Sequence, residues 1–325
     1  MPDRPPRYID GLRRAHSAAM EADPTVVAMG VDIGAGGGVY GATRGLLDRF
    51  GADRVIDSPI AEAGLLGAAV GAAMSGLRPV AEIMYMDFIT VCLDPIVNQA
   101  AKLRYMTGGG LEIPIVFRTQ TGGGRSSGAQ HSQSFEGILA HVPGLKVFLP
   151  SDARDAEYLL GEAIRDDGPV VVVENRRLYN QPDPDYDRES LPAGKARVVR
   201  TGSDLTVITW GRMVGEVAAA CDEELKDVSI ELIDLRTLVP LDIETLLESV
   251  GRTGRGLVVH EAVEAFGPGA EIAMRLTEEL LFDIEGPIRR HGAVTTPTPY
   301  SPPLEERALP TAGSIVQAVT DLLAA

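Results

Sequence analysis

The chain has 325 residues, 45% of them hydrophobic, and carries a formal net charge of −16. This length and hydrophobic content are sufficient for two domains with substantial cores. The negative charge opposes a polyanionic partner, so we expect no nucleic-acid binding. The longest apolar run, residues 64–74, is too short to span a bilayer, so we expect no membrane association and a soluble, cytoplasmic protein.

The first half of the chain alternates apolar, β-rich runs with segments of helical periodicity. Helices are predicted at residues 88–106 and 152–165. Strands are predicted at residues 26–31, 80–84, 113–117, 146–149 and 170–174. This alternation predicts an α/β domain built on a buried, mostly parallel sheet.

A proline- and acid-rich segment at residues 180–185 interrupts this pattern and predicts a domain boundary. Further strands and helices follow from about Ala196 and indicate a second, smaller α/β domain. The predicted organisation is a first domain at 1–185, a linker at 186–195 and a second domain at 196–325.

Glu62 is an isolated acid among small and apolar neighbours, in the segment SPIAEAGLLG at residues 58–67. One interpretation is a helix N-terminal acid, which the helix dipole stabilises by ~0.3–1 kcal/mol. The other is a carboxyl whose pKa is raised by desolvation, so that it can exchange a proton with a ligand nitrogen. The residues alone leave both interpretations open.

His131 lies in a polar, glycine-rich loop at residues 121–133, after a strand predicted to end near Arg118. A histidine placed in this way can act in acid–base chemistry or orient a substrate. An ordinary exposed loop histidine is the equal alternative.

The same loop contains GRSSG at residues 124–128, which fits the G-x-S-x-G pattern of the serine hydrolases. A nucleophile elbow requires a sharp turn directly from a strand into a helix. Several loop residues precede and follow this motif, so the sequence disfavours a serine hydrolase.

The chain resembles the beta subunit of the thiamine-diphosphate-dependent first component of pyruvate, branched-chain 2-oxo acid and acetoin dehydrogenase complexes. In the first half, the resemblance is carried by GGVY at 37–40, TRGL at 43–46, DSPIAE at 57–62, GLRPVAE at 76–82, QHSQ at 130–133 and HVPGLKV at 141–147. In the second half, it is carried by IDLRTL at 233–238, PLD at 240–242 and TPY at 298–300. The resemblance covers nearly the whole chain.

This resemblance implies a transketolase-like α/β fold, with a parallel-sheet pyrimidine-binding domain followed by a smaller transketolase C-terminal domain. It implies that Glu62 hydrogen-bonds the pyrimidine N1′ of thiamine diphosphate and favours the tautomer that accepts the thiazolium proton. It also implies that Phe88 stacks on the pyrimidine, that Ile60 and Met84 line its pocket, and that His131 faces the substrate or the lipoyl group.

The family also implies a monovalent cation, with K⁺ a candidate, bound by the backbone oxygens of Ile115, Ala163, Asp166 and Gly168. A Gly-Asp-Gly motif of the kind that holds Mg²⁺ and the diphosphate does not occur in the chain. We therefore expect the Mg²⁺ site on an alpha subunit, in a heterotetramer of two alpha and two beta chains with beta–beta contacts. A lipoyl domain is the expected acyl acceptor.

Two alternatives stay open beside a dehydrogenase beta subunit. A split transketolase's C-terminal half would retain thiamine diphosphate but transfer ketol units to a sugar phosphate. A purely structural partner subunit would need neither Glu62 nor His131.

Overall fold

In the computed structural model, which describes residues 4–325, the chain divides into two compact units. The first comprises the described residues up to Thr121 together with Ile138–Ala193. The second comprises Gly122–Gly137 together with Gly194–Ala325. The segment 122–137 lies within the first predicted domain but groups with the second unit, and the domain limits given above stay a prediction.

The first half of the chain alternates helices and strands. The helices are α1 (Tyr8–Ala22), α2 (Leu46–Phe50), α3 (Glu62–Met74), α4 (Ala101–Met106), α5 (Glu136–Ala140) and α6 (Ala153–Arg165). The strands are β1 (Val26–Gly30), β2 (Val55–Asp57), β3 (Arg78–Ile83), β4 (Val116–Thr121), β5 (Lys146–Phe148) and β6 (Val170–Asn175). Within the first unit they form a parallel sheet in the order β5–β6–β4–β3–β1–β2.

Helices α1 and α6 pack against each other and help to cover the core of this unit. The Asp152 carboxylate accepts a hydrogen bond from the Asp155 backbone N–H at 2.9 Å and so caps the start of α6. A Cβ atom at Gly11 would lie 2.2 Å from the Ala153 carbonyl oxygen, so the two helices can approach this closely only with glycine at that position.

The second half of the chain repeats the alternation. The helices are α7 (Arg212–Glu223), α8 (Ile243–Thr253), α9 (Gly269–Leu280), α10 (Pro302–Ala308) and α11 (Ala312–Leu323). The strands are β7 (Arg197–Arg200), β8 (Leu205–Thr209), β9 (Ile230–Asp234), β10 (Thr237–Val239), β11 (Gly256–Val263) and β12 (Arg289–Ala293). The sheet of the second unit has the order β12–β11–β8–β9–β7, in which only the β7–β9 pair is antiparallel. The predicted two-domain α/β class with mostly parallel sheets is confirmed.

Two predicted elements of the first half were wrong in their limits. The strand predicted at 113–117 is β4, Val116–Thr121, and it extends beyond Arg118. The helix predicted at 88–106 is instead a 3₁₀ turn (Met86–Val91), a π-type turn (Pro95–Ala100) and α4. Pro95 has no N–H group to donate, which interrupts a regular helical hydrogen-bond ladder at that point.

A buried ion cluster links three neighbouring strands of the first sheet. The Arg118 guanidinium on β4 donates to Glu82 on β3 at 2.8 Å and to both carboxylate oxygens of Glu174 on β6 at 2.6 and 2.9 Å. The Tyr179 hydroxyl also donates to Glu174. Arg118 is 1% exposed and Glu174 is fully buried.

The charges in this cluster depend on one another. Burial by itself lowers the pKa of Arg118, but the Glu174 and Glu82 carboxylates outweigh burial and raise that pKa above its ordinary value. Burial raises the pKa of Glu82, although Arg118 acts in the opposite direction. Arg118 is thus the counter-ion on which two buried carboxylates depend.

No helix formed by residues 4–325 is long and apolar enough to cross a lipid bilayer.

Replacing Arg118 by methionine should destabilise the first unit, because two buried carboxylates would lose their counter-ion. We expect Arg118→Met to lower the free energy of unfolding by about 3–5 kcal/mol in urea denaturation followed by circular dichroism. The matched control is Arg165→Met, which removes an ion pair to Glu162 at 2.7 Å from a side chain that is 65% exposed, and it should cost less than about 1 kcal/mol. Equal stability of Arg118→Met and the wild type would contradict the role assigned to the cluster.

Candidate functional site

The carboxyl ends of the strands in the first sheet provide the candidate site. In the sheet, β1 lies between β2 and β3. The connection that leads from β2 to β3 therefore crosses over β1. Ligands of open α/β sheets bind beyond the carboxyl ends of the strands at such a crossover. Ile60 and Glu62 follow β2, and Met84 and Phe88 follow β3, so the structure brings these four predicted residues to the same edge.

Glu62 is the first residue of α3 and is half-buried. Its carboxylate is close enough to Cys92 to act on that thiol: burial raises the pKa of Cys92 to about 12, and the charge of Glu62 contributes to the increase. The Cys92 thiol donates to the Phe88 carbonyl oxygen at 3.3 Å. Helix α3, which begins at Glu62, packs against the turn that carries Phe88.

The position of Glu62 is compatible with both interpretations of the sequence. A carboxylate in the first turn of a helix is stabilised by the helix dipole whatever its function. Ile60 is 79% exposed, and Met84 and Phe88 are half-buried. The apolar surroundings expected for Glu62 are therefore partly open to solvent in this chain.

Phe88 packs against a neighbouring aromatic side chain. The rings of Phe88 and Tyr85 lie 5.3 Å apart at an interplanar angle of 59°. The Tyr40 hydroxyl donates to the Tyr85 hydroxyl at 2.7 Å, and the Arg176 guanidinium lies 4.4 Å from the centre of the Tyr85 ring. These three residues were not predicted as part of the site, although Tyr85 is the second residue after β3 and Arg176 is the first after β6.

The loop after β1 is fixed to the end of β2. The Gly34 backbone N–H donates to the Asp57 carboxylate at 2.8 Å. A Cβ atom at Gly34 would lie 2.5 Å from the other oxygen of that carboxylate, so any larger residue would displace the Asp57 side chain. This contact fixes the backbone from which residues 58–62 start.

His131 belongs to the second unit, in the segment 122–137, and is half-buried. Its backbone N–H donates to the Gly128 carbonyl oxygen at 3.3 Å. Ser126, the serine of the G-x-S-x-G motif, lies in a loop that begins after Thr121, and the next helix starts only at Glu136. This is not the strand-turn-helix geometry of a nucleophile elbow.

A buried carboxyl ends the segment that carries His131. Glu136 is 2% exposed, and its Oε1 accepts a hydrogen bond from the Trp210 indole N–H at 3.2 Å. Within the described part of the chain, no group hydrogen-bonds to its Oε2. Trp210 in turn stacks on His260 at 5.4 Å between ring centres, and burial lowers the pKa of His260 to about 4, so this ring is neutral at physiological pH.

The four backbone oxygens expected to bind a monovalent cation come from the loop before β4 and from the end of α6. The Ile115 oxygen accepts from the Val170 N–H at 3.0 Å, and the Asp166 oxygen accepts from the Arg78 guanidinium at 3.1 Å. The Ala163 oxygen accepts from the Asp166 N–H at 3.3 Å. These oxygens have partners within the chain, and a carbonyl oxygen retains a second lone pair.

For divalent metals, side chains are the relevant ligands. Among residues 4–325 there is no group of three or more His, Cys, Asp or Glu side chains placed to hold a metal ion.

The glycines at 67 and 71 are four residues apart and lie on one face of α3, a spacing that would allow another backbone of this chain or of another subunit to approach closely. A Cβ atom added at either glycine would meet nothing within 4 Å. Packing within this chain therefore does not require glycine at these two positions.

Both units of the chain match known protein families. Residues 4–182 match the family described as the transketolase pyrimidine-binding domain, and residues 194–315 match the family described as the transketolase C-terminal domain.

Three relatives carry dehydrogenase or oxidoreductase names. The pyruvate dehydrogenase E1 component subunit beta of Rhizobium meliloti is 43% identical over 313 residues, covering 95% of this chain and 68% of the relative. The 2-oxoisovalerate dehydrogenase subunit beta of Bacillus subtilis is 42% identical, with coverage of 92% and 93%. The acetoin:2,6-dichlorophenolindophenol oxidoreductase subunit beta of Cupriavidus necator is 41% identical, with 94% of each chain covered.

A solved structure described as a split gene transketolase, an inactive beta4 tetramer, matches with a TM-score of 0.79 at 23% identity and covers 98% of both chains. At this identity the likeness concerns the fold.

The buried carboxyl of Glu136 gives a pH-dependent test of the segment that carries His131. Burial raises the pKa of Glu136 from its ordinary 4.5 to about 7, so the folded chain binds this proton more tightly than the unfolded chain does. The contribution of Glu136 to the free energy of unfolding of the wild type should therefore fall by about 3 kcal/mol as pH rises from about 4.5 to about 7. Above that range it should stay constant.

Glu136→Gln removes the titratable carboxyl, so its free energy of unfolding does not change with pH through this group. The free energy of unfolding of the variant minus that of the wild type should therefore increase between about pH 5 and pH 8. Thermal unfolding midpoints at the two pH values measure the difference, with the exposed Glu223→Gln as a control. A difference between Glu136→Gln and the wild type that does not change with pH would show that Glu136 is ionised in the folded chain.

Proposed function

The chain belongs to the family of beta subunits of the E1 components of 2-oxo acid and acetoin dehydrogenases, and we propose that it supplies the pyrimidine-binding half of a thiamine diphosphate site that an alpha subunit completes. The observation that carries this proposal is that α3, which begins at Glu62, packs against the turn that carries Phe88, at the carboxyl edge of the first sheet. A carboxyl and an aromatic side chain carried by two elements that pack together are suited to a flat, nitrogen-containing ring.

Each of the four residues has a part in this proposal. The Glu62 carboxyl hydrogen-bonds the pyrimidine N1′ and holds or releases a proton at that atom. Phe88 stacks on the ring, and Ile60 and Met84 line its pocket. In the complex, these side chains together with the alpha subunit exclude water, which strengthens the hydrogen bond that Glu62 makes. When bound, thiamine diphosphate supplies the carbon nucleophile that attacks the substrate carbonyl group.

In this proposal, His131 acts in the transfer of the acyl unit to the lipoyl group. Its imidazole faces the substrate or the lipoyl group and exchanges a proton while the acyl unit passes to the lipoyl-lysine. The position of His131 in a loop with two neighbouring glutamines, Gln130 and Gln133, is compatible with recognition of a polar group at this point.

The remaining ligands and partners are also part of the proposal. The alpha subunit supplies the Mg²⁺ ligands and the diphosphate site, in a heterotetramer of two alpha and two beta chains with a beta–beta contact. K⁺ binds the backbone oxygens of Ile115, Ala163, Asp166 and Gly168. A lipoyl domain docks to receive the acyl group, and the complex works in the cytoplasm.

The substrate is a small 2-oxo acid or acetoin. The relatives named for pyruvate, 2-oxoisovalerate and acetoin differ by no more than two percentage points in identity to this chain, 43%, 42% and 41%. Identity therefore favours none of the three, and assays of the assembled complex with each substrate are needed to choose. Likeness to the split transketolase supports the fold only, so we do not carry its activity over.

Glu62→Gln tests the proposal directly. A glutamine of nearly equal size cannot exchange a proton with the pyrimidine, so turnover of the complex co-expressed with its alpha subunit should fall by about 10²–10⁴-fold. Turnover is measured with 2,6-dichlorophenolindophenol as the electron acceptor, which makes lipoyl transfer unnecessary.

The control for this experiment is Glu21→Gln, which removes a carboxylate that is 65% exposed and paired with Arg49 on the surface. This control variant should retain wild-type turnover. Wild-type turnover in Glu62→Gln as well would favour the alternative of a purely structural subunit.

A further inference from the structure

The loop that carries His131 owes its shape to a series of left-handed residues. We call residues 122–133 the His131 loop. Within it, Gly122, Gly124, Ser126 and Gly128 have positive φ angles of 97°, 81°, 55° and 76°. Serine in the left-handed region costs free energy, so another interaction has to stabilise the loop in this form.

Glu305, on helix α10, supplies that interaction. Its Oε1 accepts a hydrogen bond from the Gly124 backbone N–H at 2.8 Å, and its Oε2 accepts one from the Ser126 backbone N–H at 2.7 Å. Glu305 is 3% exposed, so these charge-assisted bonds are shielded from water. The two N–H groups form a concave anion site of the kind that left-handed turns create, and the carboxylate occupies it.

Two further side chains contact the loop, one before and one after Glu305 in the sequence. A Cβ atom at Gly123 would lie 2.6 Å from Leu309 Cδ1, and one at Gly128 would lie 2.8 Å from Tyr300 Cδ2. The segment 300–309 thus contacts the loop at both ends of the hydrogen-bonded stretch. The Gly128 carbonyl oxygen then accepts the His131 N–H at 3.3 Å, which connects the held stretch to His131.

We propose that Glu305 is a positioning residue, which holds the His131 loop in the form that presents His131 to the acyl acceptor. The role of His131 in this statement rests on the function proposed above, whereas the hold of Glu305 on the loop does not. Glu305 touches no reacting atom in this proposal and acts only through the loop.

The carboxylate suits this task better than close substitutes. Glutamine would direct its NH₂ group at one of two N–H donors, so it could satisfy only one of them. Aspartate has a side chain one methylene shorter and would not reach both N–H groups without movement of α10. The neighbouring Glu306 is exposed on the same helix and provides a matched control.

The first measurement reads the shape of the loop and does not depend on activity. In the complex co-expressed with its alpha subunit, Glu305→Gln should increase hydrogen exchange in peptides covering residues 122–133 by about tenfold. Tryptic cleavage after the exposed Arg125 should accelerate in parallel. Glu306→Gln should change neither. Unchanged exchange and cleavage in Glu305→Gln would overturn the inference.

The second measurement separates the two half-reactions of the proposed function. Glu305→Gln should reduce acylation of an isolated lipoyl domain by about tenfold or more, the effect also expected for His131→Ala, while turnover with 2,6-dichlorophenolindophenol changes by less than about twofold. Glu305→Asp should fall between Glu305→Gln and the wild type. A general loss of structure would instead lower both half-reactions together.

The outcomes distinguish the two proposals. Faster exchange with unimpaired acylation of the lipoyl domain would overturn the positioning role. A wild-type complex that turns over neither 2-oxo acids nor acetoin would overturn the proposed function, while exchange in the loop would still decide whether Glu305 holds it.

Discussion

The Arg118 ion cluster fixes the part of the protein on which the candidate site depends. Glu82, Arg118 and Glu174 lie on three adjacent strands, and each lies within three residues of its strand's carboxyl end. The loops that leave this edge carry Met84 and Phe88 after β3 and the segment towards His131 after β4. A buried guanidinium with two carboxylates is costly to desolvate, so it is weak evidence for stability as such. Its value here is geometric, because it fixes the relative positions of three strand ends.

Each unit then adds its own device to hold a loop. In the first unit, the Asp57 carboxylate accepts from the Gly34 N–H and ties the end of β2 to the loop after β1. In the second unit, the Glu305 carboxylate accepts from two N–H groups of the His131 loop. Both devices pair a carboxylate with backbone N–H groups of glycine-rich turns. Charge-assisted bonds of this kind are short and directional, which suits positions where a loop has to keep one shape.

The sequence predicted much of the fold, because most strands of a buried parallel sheet are continuous apolar runs. Strands β1 and β6 follow that rule, and their predicted limits agree with the structure within a residue. Strand β4 does not, since its last four residues are the polar run Arg118 to Thr121. Arg118 is buried there because it pairs with carboxylates on the neighbouring strands, and hydrophobic patterning cannot show such a pairing.

The same reason limits what the sequence could say about the site. Glu62 and His131 stand out because of their immediate neighbours in the chain, and a family resemblance gave them roles that stay a prediction. Tyr85 and Tyr40 are 45 residues apart, and Glu305 is 181 residues from Gly124. Contacts over such separations are made by the fold and leave no local pattern. Glu305 in particular lies in a short helix with another glutamate beside it, so only its burial distinguishes it.

Calorimetry can test whether this chain holds only the pyrimidine half of a thiamine diphosphate site, as we propose. Thiamine diphosphate with Mg²⁺ is titrated into the purified chain alone and into the complex co-expressed with its alpha subunit. We expect tight binding of one cofactor per alpha–beta pair in the complex and no tight binding to the chain alone. Tight, stoichiometric binding to the chain alone would contradict this proposal, because the diphosphate and its metal would then have their ligands within this chain.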